Sequence, residues 1–394
     1  MKLQKAELKA DSKETVRVLI VAPSLRILGG QAVQANYLIE HLKQEPSFEV
    51  SFLPHNPRLP GPLRVLQSIK YVRTIVTSLI YCVALMLRIP KHDVIHTFSA
   101  SYFSFLLAPT PAILIAKFFR KKIVLNYHSG EAEDHLRYWP TAIPIIRLAD
   151  ELIVPSRYLV EVFRKFGLRA HAIANVVDLK SFKFHERNPL LPHFLSNRNL
   201  YPLYNVACIL KAFKLIQQKY PDATLLIAGD GRQRIYLEEL AQKLNLHNIE
   251  FLGLVAPEKM GKLYEEAHIF LNGSNIDNLP GSILDSFAAG LPIVTTSAGG
   301  IPYIVEHEKT GMLVPRNDAD AMAASALKLL ESPELASSIA RNAHEACQAY
   351  TWTAVRDAWV DLYRRLADSA KAEPAMTPVR GLDAGAMRET ADES

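Results

Sequence analysis

The sequence predicts an α/β protein built from two doubly wound domains, each with a parallel sheet between helices. Three observations carry this. Short apolar runs rich in β-branched residues recur along the 394-residue chain, the pattern of parallel strands covered on both faces. Segments with helical spacing lie between the runs, and alternation of this kind argues parallel sheets. The alternation pauses once, at the polar stretch 180–192 with Pro189 and Pro192, and then restarts. A chain of about twice the usual domain length agrees with two units.

The first unit opens with Val16–Ala22, a continuous apolar run. Gly29 and Gly30 follow, and 31–42 has helical spacing. Further strands are expected at 50–53, 94–97, 123–126, 152–154 and 172–174, with helices at 64–88 and 156–166 among the segments between them. In the second unit, strands are expected at 194–196, 224–228, 249–252, 269–272 and 293–296, with helices such as 206–219 and 233–244. No internal repeat of 20–50 residues is present. Residues 1–15 are charged throughout and without an apolar core, so they read as a flexible lead-in and not a signal peptide. The Ala-, Glu- and Pro-rich stretch 371–394 reads as a disordered tail.

Composition narrows the function classes. Hydrophobic residues make up 49% and charged residues 22%, which excludes wholesale disorder. The net charge of +5 suits an anionic small ligand or an anionic membrane face, and is too weak for a nucleic-acid groove. Cys82, Cys208 and Cys347 are odd in number and far apart, offering neither a disulfide framework nor a zinc spacing. That favours a reducing, cytoplasmic setting. The uncharged run 74–87 has 14 residues, too few to cross a bilayer. The uncharged run 94–116 is long enough, but it holds His96, several hydroxyls and the Ala-Pro-Thr-Pro breaker at 108–111. It reads as a buried strand, a loop and a helix.

Several segments are suited to chemistry. Gly29 and Gly30, between a strand and a helix, let the backbone approach a phosphate or sugar, and amides at a helix start favour an anion. No G-x-G-x-x-G is present, so a dinucleotide fingerprint is unsupported, and a tight turn is the plain alternative. Gly229, Asp230 and Gly231 follow a strand at the edge where open α/β sheets bind ligands; taken alone they are a turn. The densest segment is 272–294, where a polar loop leads into a short helix at 281–289 that Gly290 ends. Asp277 lies in the loop and Asp285 on the helix. Helix-start amides bind phosphate, and a helix carboxylate can accept both hydroxyls of a vicinal diol. The alternative makes Asp277 a helix cap and Asp285 a solvated side chain.

These pieces, in order, resemble the family 4 retaining glycosyltransferases. They are Gly29-Gly30, Asp93-Val-Ile-His96, Leu125-Asn-Tyr-His128, Val154-Pro-Ser156, Ala174-Asn-Val-Val-Asp178 ahead of Phe182, and Ile227-Ala-Gly-Asp-Gly231. Phe251-Leu-Gly253, Gly290-Leu-Pro-Ile-Val294, Gly299-Gly300-Ile-Pro302 and Gly311-Met-Leu-Val314 complete the set. The resemblance implies a GT-B fold of two Rossmann-like domains, an acceptor-binding one at 16–182 and a nucleotide-sugar-binding one at 183–352. A helix at 353–370 would cross back to the first domain after Tyr350-Thr-Trp352. It implies transfer, with retention, of a hexosyl-type sugar from a nucleotide diphosphate sugar to an acceptor (a glycan, lipid-linked or small molecule). The donor is a co-substrate, and no metal or other cofactor is implied.

By the same resemblance, Asp277 faces the transferred sugar, His128 lies near its 6-position or the reaction centre, and Arg198 holds the diphosphate. Gly30, Gly229, Gly253, Leu279, Gly281, Ser282 and Asp285 line the donor, with Asp285 on the ribose diol. Four positions depart from the family. Asp277 and Asp285 stand where it has two glutamates, Leu203 where it has a lysine five residues after the arginine, and Pro280 where a glycine is common. A catalytically silent nucleotide-sugar-binding subunit and a related GT-B epimerase remain open. The basic, apolar region 64–88, with Arg120, Lys121 and Lys122, suggests peripheral contact with the inner face of a membrane; a core helix with solvated ends is the other reading. Asp318 and Asp320 open a helix and read as an N-cap pair, not a metal site.

Overall fold

The computed structural model of the chain describes residues 15–25, 29–57, 61 and 69–372. The expected lead-in, the tail beyond Ala372 and the expected helical start at Arg64 fall outside the described residues.

The first sheet contains β1 (Val16–Ala22), β2 (Phe48–Pro54), β3 (Val94–Ser99), β4 (Lys122–Tyr127), β5 (Glu151–Val154) and β6 (His171–Ala172), in the order β2-β1-β3-β4-β5-β6. The second contains β7 (His193–Asn197), β8 (Thr224–Ala228), β9 (Ile249–Gly253), β10 (Ile269–Asn272), β11 (Ile293–Thr296) and β12 (Met312–Val314), in the order β12-β11-β10-β7-β8-β9. All these pairings are parallel, with Val18 opposite both Val50 and Val94. In the first sheet the chain runs outward from β1 to β2, then returns to place β3 on the other side of β1. In the second it leaves β7 for β8 and β9, then returns to β10 beside β7. Such reversals open a crevice at the carboxyl ends of the strands, where open α/β sheets bind ligands. The segments after β1, β7 and β10 therefore face a common space.

Period-two alternation on β1 serves two cores. Leu19 and Val21 join Tyr81 and Leu85 on one face, whereas Val18 and Ile20 join Ala35, Leu38, Trp359 and Tyr363 on the other. The last helix, Trp352–Ala372, thus crosses back to pack on the first sheet. Its Tyr363 hydroxyl lies 2.6 Å from His96 Nδ1, and burial holds that ring neutral, pushed down to about 3. Val176 packs in the first domain, while Val177 and Phe182 pack in the second, so the seam between the cores lies just after Val176.

Differences from expectation are local. β12 follows Gly311 with three residues, too short for a pattern to reveal. The 172–174 strand is the pair His171–Ala172. The 94–116 run holds β3 and two helices, Phe103–Leu107 and Pro109–Phe118, because prolines at 109 and 111 are tolerated in a first turn and start a second helix. The helix Lys70–Arg88 corrects the bilayer arithmetic: with its flanks, 72–91, it is long and apolar enough to cross a membrane by length and composition. Asp318 caps the helix Ala319–Glu331, accepting a hydrogen bond from the Ala321 amide at 2.8 Å.

Candidate active site between the domains

A cavity of 420 Å3 lies between the two sheets' carboxyl ends. The first domain contributes Gly29, Gly30, Gln34 and Tyr37, from the start of the helix Gly30–Leu42, together with Asn175. The second contributes Arg198 after β7, Gly229 after β8, and Leu279, Gly281, Ser282 and Asp285 at the start of the helix Gly281–Ala289. Two helix N-termini therefore meet one space. At both Gly30 and Gly281 a side chain would find nothing within 4 Å, so the backbone there is open to a ligand. The amides of a first helical turn have no preceding carbonyl to bond and carry partial positive charge.

Among the described residues lining the cavity, Arg198 is the one lysine or arginine. Its guanidinium stacks 4.1 Å above the Tyr204 ring, donates to Ser282 Oγ at 3.3 Å and pairs with the Asp277 carboxylate. Its Nε has no hydrogen-bond partner among the described residues. The Leu203 carbonyl accepts the amide of Asn275 at 2.8 Å, so this turn braces the Asp277 loop and does not supply a second cation.

Asp277 itself does not line the cavity. It sits behind Arg198, with Oδ2 accepting from Ser274 Oγ at 3.2 Å and Oδ1 from its neighbour Asn278's amide at 2.9 Å. The helix-cap alternative for Asp277 fails, because the helix begins after Pro280 with no side-chain cap. The loop is gripped from the second side by Gly299. With φ at +52°, a side chain there would lie 2.1 Å from the Asp277 carbonyl. Gly229 is equally constrained: at φ +137° its side chain would meet the Arg198 carbonyl at 2.2 Å. Gly253 is one layer removed, accepting the Gly229 amide at 2.8 Å without reaching the cavity.

Asp285 projects into the cavity half-buried, and it is not a solvated helix residue. Desolvation, reinforced by the Asp178 carboxylate, pushes it up to about 8. Burial, with Asp285 and Asp178 beside it, raises Tyr37 above its usual range, so this phenol keeps its proton. His128 is placed elsewhere. It lines a separate cavity of 20 Å3, packs 5.1 Å from Phe98, and is held neutral by burial at about 3. Gln34 and Asn175 line both cavities and separate them.

Direct bonds hold the domains together beside the site. Asn175 donates to the Leu279 carbonyl at 3.2 Å across the seam, and within the first domain the Gln34 amide donates to the Val176 carbonyl at 2.8 Å and accepts its amide at 2.7 Å. Ser156 Oγ bonds Asn278 Oδ1. Tyr37, Gln34 and Tyr204 carry no motif, and only their helical phase and their place after a switch-point strand could have singled them out.

Two family models tile the chain, glycosyltransferase family 4 over residues 28–181 and glycosyl transferases group 1 over 179–346. The chain belongs to glycosyltransferase family 4. Sulfoquinovosyl transferase from Arabidopsis thaliana is 27% identical over 287 residues, 67% of this chain and 55% of that one. The chain spans about half the length of the first relatives it matches. Sucrose-phosphate synthase from Thermosynechococcus elongatus has the same fold, with a TM-score of 0.74 at 20% identity over 90% of this chain and 100% of that one. An Anabaena protein solved with UDP-glucose superposes with a TM-score of 0.68 at 18% identity, covering 90% and 99%. This family 4 chain thus has the two-domain GT-B architecture.

Proposed function

We propose that this family 4 protein transfers a hexosyl sugar, with retention, from a nucleotide diphosphate sugar bound in the 420 Å3 cavity to an acceptor reaching it from the first domain. The observation that carries this is the convergence of Arg198 and the open amides of Gly281 and Ser282 on one face of a cavity that also holds Asp285. A diphosphate fits the cation and the amides. A ribose diol fits the carboxylate, which accepts both hydroxyls once ionised. Support comes from the superposed Anabaena protein, which was solved with UDP-glucose.

Charge develops on the departing diphosphate, so positively polarised groups fixed beforehand lower the barrier. Arg198 is braced for that task by the Tyr204 stack and the Ser282 bond. The proton of the acceptor hydroxyl passes to the leaving phosphate oxygen on the same face as the new C–O bond forms and the anomeric C–O bond breaks. Asp277 is committed to Arg198, Ser274 and the Asn278 amide, which suits a positioning role and not a nucleophile. Its shorter side chain, compared with a glutamate, keeps it in that second row.

Incubating the purified protein with UDP-, ADP- and GDP-sugars, with EDTA present, tests the reading. Release of nucleoside diphosphate that is lost in Arg198→Ala supports it. Binding of a nucleotide sugar without turnover, with acceptors supplied, would instead favour the non-catalytic subunit to which the lone cation also points.

A further inference from the structure

The helix Lys70–Arg88 has two faces of one character. Tyr81 and Leu85 pack into the first domain's core, yet Ile75, Leu79, Val83 and Leu87, four residues apart, form an apolar stripe at 59–66% exposure. Phe103 and Phe118, on the neighbouring helices, are exposed at 67% and 75%. A contiguous apolar surface of this kind marks an interaction site.

The surrounding charge names the occupant. Between Glu49 and Glu131 the sequence has ten lysines and arginines and a single acidic residue, Asp93. Asp93 is itself paired with Arg17 at 2.8 Å, while of the ten cations Lys117 and Lys122 pair with Asp150 at 3.1 and 3.9 Å and so add little to the surface. This segment is thus far more basic than the chain as a whole, whose net charge is +5. A second copy would bring the same positive face against it, whereas an anionic lipid surface complements it. Residues 72–91 are long and apolar enough to cross a membrane by length and composition, but Tyr81 and Leu85 are buried in the first domain's core. With one side already packed on protein, the helix suits lying in the interface, not crossing it.

We propose that the exposed stripe of helix Lys70–Arg88, with Phe103 and Phe118, seats the first domain on an anionic lipid bilayer. A cavity of 810 Å3 opens between this helix and Phe103–Leu107, lined by Arg73, Thr77 and Tyr81 on one side and by Gly29 on the other. Gly29 also lines the donor cavity, so docking directs a route from the bilayer toward the proposed transfer site. The docking itself does not depend on the transfer reading.

Flotation with vesicles of phosphatidylglycerol and phosphatidylcholine, against phosphatidylcholine alone, is the test. Binding is expected to the anionic vesicles, weakening as salt rises, with partitioning reduced about tenfold or more in the double variant Leu79→Glu/Val83→Glu. Both positions are exposed, and an unchanged thermal melt shows that the fold is intact. Brominated lipid should quench Trp139, which lies 5.1 Å from Phe103, and the quenching should vanish in Trp139→Phe because Trp352 and Trp359 lie on the opposite face of the sheet. Wild type remaining free of anionic vesicles, equal partitioning of the double variant, or a concentration-dependent dimer abolished by the same substitutions would overturn the proposal. Nucleotide binding measured in parallel separates this outcome from failure of the donor-site reading.

Discussion

Asp277→Asn should destabilise the free protein and yet strengthen its response to a nucleoside diphosphate. In the unliganded site the Asp277 carboxylate neutralises Arg198, and both side chains are about nine-tenths buried, at 11% and 10% exposure. Removing one partner of a buried pair leaves the other charge uncompensated, at a typical cost of about 3–5 kcal/mol. Asparagine keeps the shape and can still accept the Asn278 amide, so about 3 kcal/mol is the expected loss here. For a domain of this size that is a fall in melting temperature of about 6–12 °C. A diphosphate then restores the missing negative charge, so UDP should raise the melting temperature of Asp277→Asn by more than it raises that of wild type. Turnover should still fall, since Arg198 loses its fixed position, and misplacement near 1 Å costs about a hundredfold. Differential scanning fluorimetry with and without UDP, alongside a donor-release assay, reads both. If UDP binding weakens in Asp277→Asn as much as in Arg198→Ala, Asp277 contacts the donor directly and the competition between carboxylate and diphosphate is wrong.

Three further outcomes are expected. Asp285 sits well above its ordinary range, at about 8, so the folded apoprotein holds a proton that the unfolded chain releases near pH 4. Stability from this group is therefore full below the unfolded value and is lost as pH rises through about 8, and Asp285→Asn should flatten the slope of melting temperature against pH over that window. UDP binding to wild type should release a proton between pH 7 and 8, visible as a buffer-dependent heat, and Asp285→Asn should abolish it. Gly229→Ala should remove UDP binding and destabilise by about 1–3 kcal/mol, because the new methyl would meet the Arg198 carbonyl at 2.2 Å; wild-type affinity in that variant would falsify the packing argument. Tyr204→Leu should weaken UDP about threefold to tenfold by removing the stack under Arg198, with Tyr204→Phe near wild type. Equal loss in both would assign the effect to the hydroxyl.

The fold was legible because local pattern and global topology agree. The run Val16–Ala22 becomes β1 with the same ends, and the pause near Pro189 precedes the restart at β7. The strand β12 was lost because three residues are too few to carry a period, and the strand expected at 172–174 is only the pair His171–Ala172. At the site, Gly30, Gly229, Gly281 and Asp285 were legible because strand ends and helix starts announce themselves in sequence. The Arg198–Asp277 pair was not: its partners are 79 residues apart, and nothing local distinguishes a carboxylate on a ligand from one on a neighbouring guanidinium. Tyr37 was missed for the same reason, since a phenol on an amphipathic helix is ordinarily core. His128 shows the converse, a family position that here lines a separate cavity beside Phe98. The helix at Lys70–Arg88 was counted by its uncharged residues alone, whereas its exposed face is visible only once Tyr81 and Leu85 are packed.

The central claim is that the interdomain cavity binds the diphosphate of a sugar nucleotide through Arg198. Isothermal titration of the wild type and Arg198→Ala with UDP, ADP and GDP, in EDTA, tests it most directly. One site per chain is expected for at least one of these nucleotides and, in Arg198→Ala, a loss of about 2–5 kcal/mol in binding free energy with the melt still cooperative. Absence of binding by all three, or equal affinity in the folded Arg198→Ala variant, would contradict it.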